Sequence, residues 1–342
     1  MKTLAWLCCA AALALVVGCG KPTKKLYVYN WSDYMAPEVV AKFEKQFDCK
    51  VVVDYFDSNE AMYAKLKAGV SGYDLIFPSS YIAAVMRAQG MLLELDHSKL
   101  PNLKQVMREY TAKTEDKAMA YSVPYAVTFT GLGYKLKDIK DLKPSWGVFG
   151  DAKLKGHMTM LNDMREAIGA ALKFQGHSYN SVDDQELEQA KTLLLAWKAN
   201  LAAFAVDEAK VGLAASDFLV SQSYNGDILQ LAADKPFIAF ATPAEGTAMS
   251  VDVMVVAAQA KNPGLAHDFI NFIYSPDVCA ENMRYICYLT PCQAALDKLD
   301  KSLRDNPAFM LSPALMAKSE VIRDLGKDNA KYVKLWDTIK TK

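Results

Sequence analysis

Leu26-Tyr27-Val28-Tyr29-Asn30-Trp31-Ser32-Asp33-Tyr34 decides how this chain is read, because a strand-like run stops there at an aromatic and polar turn. Tyr27 and Val28 suit a pleated, buried segment. Asn30, Ser32 and Asp33 break the run, and Pro37 stands where a first helical turn tolerates a residue without an N–H. In open α/β sheets the ligand crevice lies outside the carboxyl ends of the strands. Trp31, Ser32, Asp33 and Tyr34 are therefore candidates for a binding rim, although Trp31 and Tyr34 fit a simple cover over the sheet end equally well.

Working outward, Val39, Val40, Phe43 and Phe47 recur at helical spacing, and residues 49–56 read as a second strand. Asp57 followed by Glu60 is a helix-start pair leading into a helix at 61–68. Residues 73–78 give a third strand, which ends at Ser79, Ser80 and Tyr81 on the same rim. This β-α-β-α-β order predicts an α/β fold with a parallel sheet covered by helices on both faces. Residues 92–106 read as a surface passage. Strand-like sequence returns at 121–129, and the glycines of Thr130-Gly131-Leu132-Gly133-Tyr134 suggest a bend where the chain crosses to a second lobe. That lobe is expected to hold strands at 156–161, 218–223 and 237–241 and helices at 165–175 and 183–200. A strongly apolar strand at 249–257 leads into helices at 266–274 and from Asp277, and the tail ends in a helix bearing Tyr332, Leu335 and Trp336.

A chain of 342 residues is longer than one hydrophobic core usually serves, which also favours two lobes. Lysine plus arginine equals aspartate plus glutamate at 39 each, without a basic block, so nucleic acid is excluded as a partner. The opening Met1-Lys2-Thr3 and the apolar run at 4–17 have the layout of a secretory signal. The run is shorter than the roughly 20 residues a bilayer-spanning helix needs. It ends in Leu15-Val16-Val17-Gly18-Cys19, which resembles the lipobox of bacterial lipoproteins. Residues 1–18 are thus expected to be a cleaved signal peptide, Cys19 the lipidated first residue and 19–25 a tether. Cys49, Cys279, Cys287 and Cys292 then remain. They allow three complete disulfide pairings or can stay as free buried thiols, and their spacing is not that of a zinc site.

The chain lacks a G-x-x-x-x-G-K-[ST] phosphate loop, an H-E-x-x-H helix and a G-x-S-x-G elbow, so no catalytic, metal or cofactor site is expected. What stands out is a set of acids and aromatics at strand ends. Asp163 and Glu166 follow the strand ending at Leu161 and have the spacing of a capping pair. Asp252 interrupts an otherwise apolar strand, where a carboxylate is costly unless cations or hydrogen-bond donors satisfy it. Tyr224 ends another strand, or begins a Tyr224-Asn225-Gly226-Asp227 hairpin turn, and Tyr288 lies near Pro291. Acids attract cations, while aromatic faces attract ammonium groups and pack methylene chains. A cleft with both suits a flexible organic cation.

Tyr29-Asn30-Trp31-Ser32-Asp33-Tyr34, the run from Ser58 to Lys67, the run from Tyr73 to Tyr81 and Tyr288-Leu289-Thr290-Pro291 together resemble the spermidine/putrescine-binding proteins of bacterial polyamine ABC transporters. The resemblance implies the two-lobed periplasmic-binding-protein fold of type II, with residues 26–129 and 251–296 in the N-lobe and 130–250 and 297–342 in the C-lobe. It implies a polyamine held between the lobes by Trp31, Ser32, Asp33, Tyr34, Tyr81, Asp163, Glu166, Tyr224, Asp252 and Tyr288, and Ser80 joins them from its place on the rim. It further implies a monomeric periplasmic receptor, lipid-anchored through Cys19, that delivers its ligand to an ABC permease and is not an enzyme. Two departures concern ligand choice. Tyr224 and Ser250 stand where spermidine-binding members usually carry tryptophan, and no glutamine aligns near Ile322 and Arg323. Counting Asp33, Asp163, Glu166 and Asp252 as four ligand-facing acids ranks spermidine above putrescine. The alternatives are a ferric-ion receptor on the same fold and an envelope enzyme acting on an amine.

Overall fold

A computed structural model describes residues 24–342; the signal peptide and Cys19 lie outside the described residues. The strands are β1 (Lys24–Trp31), β2 (Cys49–Phe56), β3 (Leu75–Ile76), β4 (Val123–Lys135), β5 (Met158–Met160), β6 (Leu201–Phe204), β7 (Val220–Tyr224), β8 (Ile238–Ala241), β9 (Ala248–Val256) and β10 (Glu320–Val321). They hydrogen-bond in the order β2-β1-β3-β9-β4-β7-β5-β6, with β10 beside β9 and β8 beside β4. β1 is parallel to both β2 and β3, and β5 is parallel to β6 and β7. The sheet is not parallel throughout as expected, because β9 runs antiparallel to β3 and β4.

β4 explains how one sheet serves two lobes. Residues 123–129 pair with β9, while residues 130–135 pair with β7 and β8. No bend occurs at the glycines. A Cβ on Gly131 would lie 2.4 Å from the Phe240 ring, and one on Gly133 would lie 2.6 Å from Ile228. Both glycines permit close approach within a continuous strand. On either side of this crossing the apolar side chains gather into separate cores. The first lobe buries Leu26, Val28, Phe43, Phe269 and Ile273 on one sheet face and Tyr29, Ile76, Met86 and Val253 on the other. The second lobe centres on Trp146, Met158, Ile168, Leu194 and Tyr332. The fold is therefore a two-lobed α/β architecture with helices on both faces.

Several local readings change. Lys24 and Lys25 pair with Cys49 and Lys50 as the start of β1, so these two tether residues belong to the sheet. Leu92, Leu95, Leu100, Leu103 and Val106 are buried, so the 92–106 stretch is part of the core instead of a surface passage. Its leucines fill space beneath short 3-10 turns, which carry neither helical nor strand periodicity. Leu299 and Phe309 pack into the first core, although the sequence places 297–342 with the second lobe. Cys49, Cys279, Cys287 and Cys292 are free and buried. Among the described residues no helix is long and apolar enough to cross a membrane.

Candidate ligand-binding cleft

Thr128 on β4 and Ser250 on β9 are paired neighbours, and with Asp252 they line a cleft where the two lobes meet. β9 alternates its side chains, so Ser250 and Asp252 share one face while Val251 and Val253 enter the core. Asp252 is 5% exposed. It accepts hydrogen bonds from the hydroxyls of Tyr34 at 2.7 Å and Ser79 at 2.6 Å, and Asn59 in turn fixes Ser79 by two bonds. Burial raises the Asp252 carboxyl to about 6, and the donated hydroxyls only partly oppose this.

The aromatic walls come from both lobes. Trp31 donates its indole N–H to the Phe77 carbonyl at 2.7 Å and packs on Phe56, which leaves the ring as a wall of the cleft. Asp33 adopts a left-handed φ of 53°, one of the few non-glycine residues suited to it, and the turn delivers Tyr34 inward. Tyr34 stands edge-on to Tyr288. The Tyr288 hydroxyl crosses to the second lobe, where it donates to Asp227 at 2.9 Å and accepts the Asp227 amide at 3.2 Å. That approach needs Gly226, because a Cβ there would lie 2.4 Å from the Tyr288 ring.

The second lobe supplies Asp163 and Glu166 from the start of the helix Met164–Phe174. Asp163 accepts the amides of Arg165 at 2.8 Å and Glu166 at 3.1 Å, as a cap should. Glu166 does not reach back to complete a capping box. It accepts the Thr130 hydroxyl at 2.8 Å and faces the cleft. Burial and the neighbouring Asp163 push Glu166 up to about 8. Burial raises Asp163 as well, against the two amides that lower it. Tyr81 donates to Glu60 at 3.2 Å, and burial with the nearby Asp163 charge raises Glu60 to about 7. Arg165, between the rings of Tyr81 and Tyr332, offsets some of this negative charge.

Nine of the eleven ligand-site residues named from the sequence line the cleft: Trp31, Ser32, Tyr34 and Tyr81 from the first lobe, Asp163, Glu166 and Tyr224 from the second, and Asp252 and Tyr288. Two do not. Ser80 accepts the Glu115 amide at 2.8 Å and so serves a loop of its own lobe. Asp33 has a side chain 58% exposed and pairs with Lys210 at 3.3 Å. Thr128, Arg165, Lys210 and Asp227 also line the cleft and escaped the sequence reading, while Glu60 stands behind Tyr81. Asp227, three residues beyond the end of β7, was within reach of the strand-end rule, and so was Arg165 between two candidate acids. Among the described residues none of Asp163, Glu166 and Asp252 makes an ion pair within 4.0 Å, and no group of acids, histidines and cysteines could hold a metal ion.

An interlobe cleft with buried acids and aromatic walls defines a receptor for a small solute. The chain belongs to the bacterial extracellular solute-binding proteins, a family it matches over residues 38–311. It is 35% identical to the putrescine/cadaverine-binding protein of Pseudomonas aeruginosa, over 95% of this chain and 97% of that protein. Its fold superposes on a spermidine/putrescine ABC transporter protein of Listeria monocytogenes with a TM-score of 0.88 and 31% identity, covering 93% of this chain and 99% of the other. A PotD lipoprotein of Treponema pallidum gives 0.84 at 32% identity, with 92% and 99% covered. Family and relatives are binding components of transport systems and not enzymes.

Proposed function

We propose that this chain is a monomeric extracytoplasmic receptor that binds a polyamine between its lobes and passes it to an ABC permease. One observation carries the reading: Asp163, Glu166 and Asp252 are buried in an aromatic cleft and have no ion-pair partner among the described residues. Buried carboxylates in that state are unfavourable unless a cation joins them, and an amine with apolar methylenes supplies both charge and surface for the rings. The names of the Pseudomonas and Listeria relatives support the same ligand class. The lipobox-like ending at Cys19 and the Treponema lipoprotein support anchoring of the mature chain to the periplasmic side of a membrane. A ferric-ion role is disfavoured, because the Tyr34 and Tyr288 hydroxyls donate to acids and burial raises both well above the ordinary phenol range, away from the phenolate that iron requires.

The ranking of spermidine over putrescine counted Asp33 among the ligand-facing acids. Its pairing with Lys210 removes that acid from the count. Native mass spectrometry of freshly purified protein tests the ligand class. A co-purified mass equal to a diamine or polyamine is expected, and a bound metal or an amino acid would overturn the reading.

A further inference from the structure

Lys210 and Arg165 are the two cationic side chains that line the cleft, and of the two Lys210 is the one held by carboxylates within 4.0 Å. Lys210 stands in the first turn of the helix Asp207–Ala215, where the helix dipole disfavours positive charge. Three carboxylates hold it there: Asp33 at 3.3 Å, Asp207 at 3.3 Å and Asp227 at 3.8 Å. Burial opposes the ammonium, but these acids outweigh it and raise its pKa. Asp33 belongs to the first lobe and Asp227 to the second, and Asp227 also holds Tyr288. An amine ligand would look for the same surroundings of carboxylates and a tyrosine.

We propose that Lys210 is a specificity-determining residue: its tethered ammonium fills one cation position at the cleft mouth and so restricts the receptor to short diamines. The inference rests on the polyamine reading and refines it. Asp163, Glu166 and Asp252 remain free to meet the two ammonium groups of a diamine such as putrescine. A triamine such as spermidine must bring its third ammonium toward a position already occupied by a like charge. A simple lobe-bridging role would weaken all amines together, whereas a filled position discriminates by length and charge.

The test is calorimetric titration of the intact receptor with putrescine and with spermidine, separately and in competition. Wild type, Lys210→Met and Lys210→Arg are compared, with Lys210→Gln as a second neutral variant should the first unfold. Wild type is expected to prefer putrescine. Lys210→Met should raise the spermidine-to-putrescine affinity ratio by about tenfold or more, the scale of one close charge contact. Lys210→Arg, which restores the charge, should return the preference for putrescine. A ratio within about twofold of wild type in both neutral variants, or a wild-type preference for spermidine, overturns the proposal while leaving the receptor reading intact. Failure of wild type to bind either amine overturns that reading itself.

Discussion

Asp252 concentrates the chemistry of the cleft in one side chain, because each of its oxygens accepts a hydroxyl donor while the residue lines the cleft. Replacing it by Asn keeps the shape and removes the charge. Asp252→Asn is expected to weaken amine binding by about 2 to 5 kcal/mol, or roughly 30-fold to several thousand-fold, with thermal unfolding little changed; titration calorimetry of the variant checks this. Ser250, two residues away on the same strand face, lines the cleft at the place where the resemblance implies a tryptophan in spermidine-binding members. Ser250→Trp should tighten binding by about 0.5 to 2 kcal/mol through a cation–π contact, and unchanged or weaker affinity in the same titration would count against a ligand lying along β9. Asp252 was legible in the sequence because a lone acid in an apolar strand demands an explanation. Lys210 was not. It meets Asp33 across 177 positions of sequence, a contact made by the apposition of lobes and invisible to any local pattern.

Helix starts and strand ends do most of the positioning. The helix Met164–Phe174 presents Asp163 and Glu166 because its first turn needs an acceptor for free amides, so one residue caps while the other is released into the cleft. The helix Asn225–Asp234 carries Gly226 in its first turn, packed against the Tyr288 ring, where even a Cβ would clash. Gly226→Ala should therefore hold the lobes apart. Amine affinity is expected to drop by about tenfold or more while the unfolding temperature stays near that of wild type, and small-angle scattering with saturating ligand should show no compaction. Most elements were legible from apolar runs and helical spacing, as β2 and the helix Asp184–Lys198 illustrate. β10 was not, since two residues carry no periodicity, and strand direction in β9 depends on connections that a local pattern does not encode. The glycines of β4 read as a bend because sequence cannot tell a turning glycine from one that admits a neighbouring ring.

Burial raises the pKa of Glu166, Glu60 and Asp252, at or beside the cleft, and this couples ligand, proton and fold. Lipid attachment would hold such a receptor near its permease; Cys19→Ser is expected to abolish lipid labelling and move the protein to the soluble fraction, and unchanged membrane fractionation would remove the anchor. Glu166 at about 8, Glu60 at about 7 and Asp252 at about 6 are all raised in the folded, ligand-free protein. A raised carboxyl pKa means that the folded state binds more protons than the unfolded one between the ordinary and the raised values. The contribution of these three acids to the stability of the ligand-free receptor is therefore full below the ordinary carboxyl range and is lost as pH rises toward about 8, opposite in sign to that of Asp96 and Glu320, whose pKa values are lowered. Amine binding runs the opposite way, because the ligand needs ionised carboxylates, so binding should release protons and weaken as pH falls, by up to about tenfold per pH unit for each acid that must ionise. The decisive measurement is titration of the receptor with putrescine at pH 8 and pH 6, each in two buffers of different ionisation enthalpy. Saturable binding at pH 8 with a dissociation constant of about 1 µM or below, roughly −8 kcal/mol, net proton release, clear weakening at pH 6 and recovery of unaltered amine is the result predicted. Absence of saturable binding at pH 8, or binding indifferent to pH with no proton released, would contradict the claim that these buried acids hold the ligand.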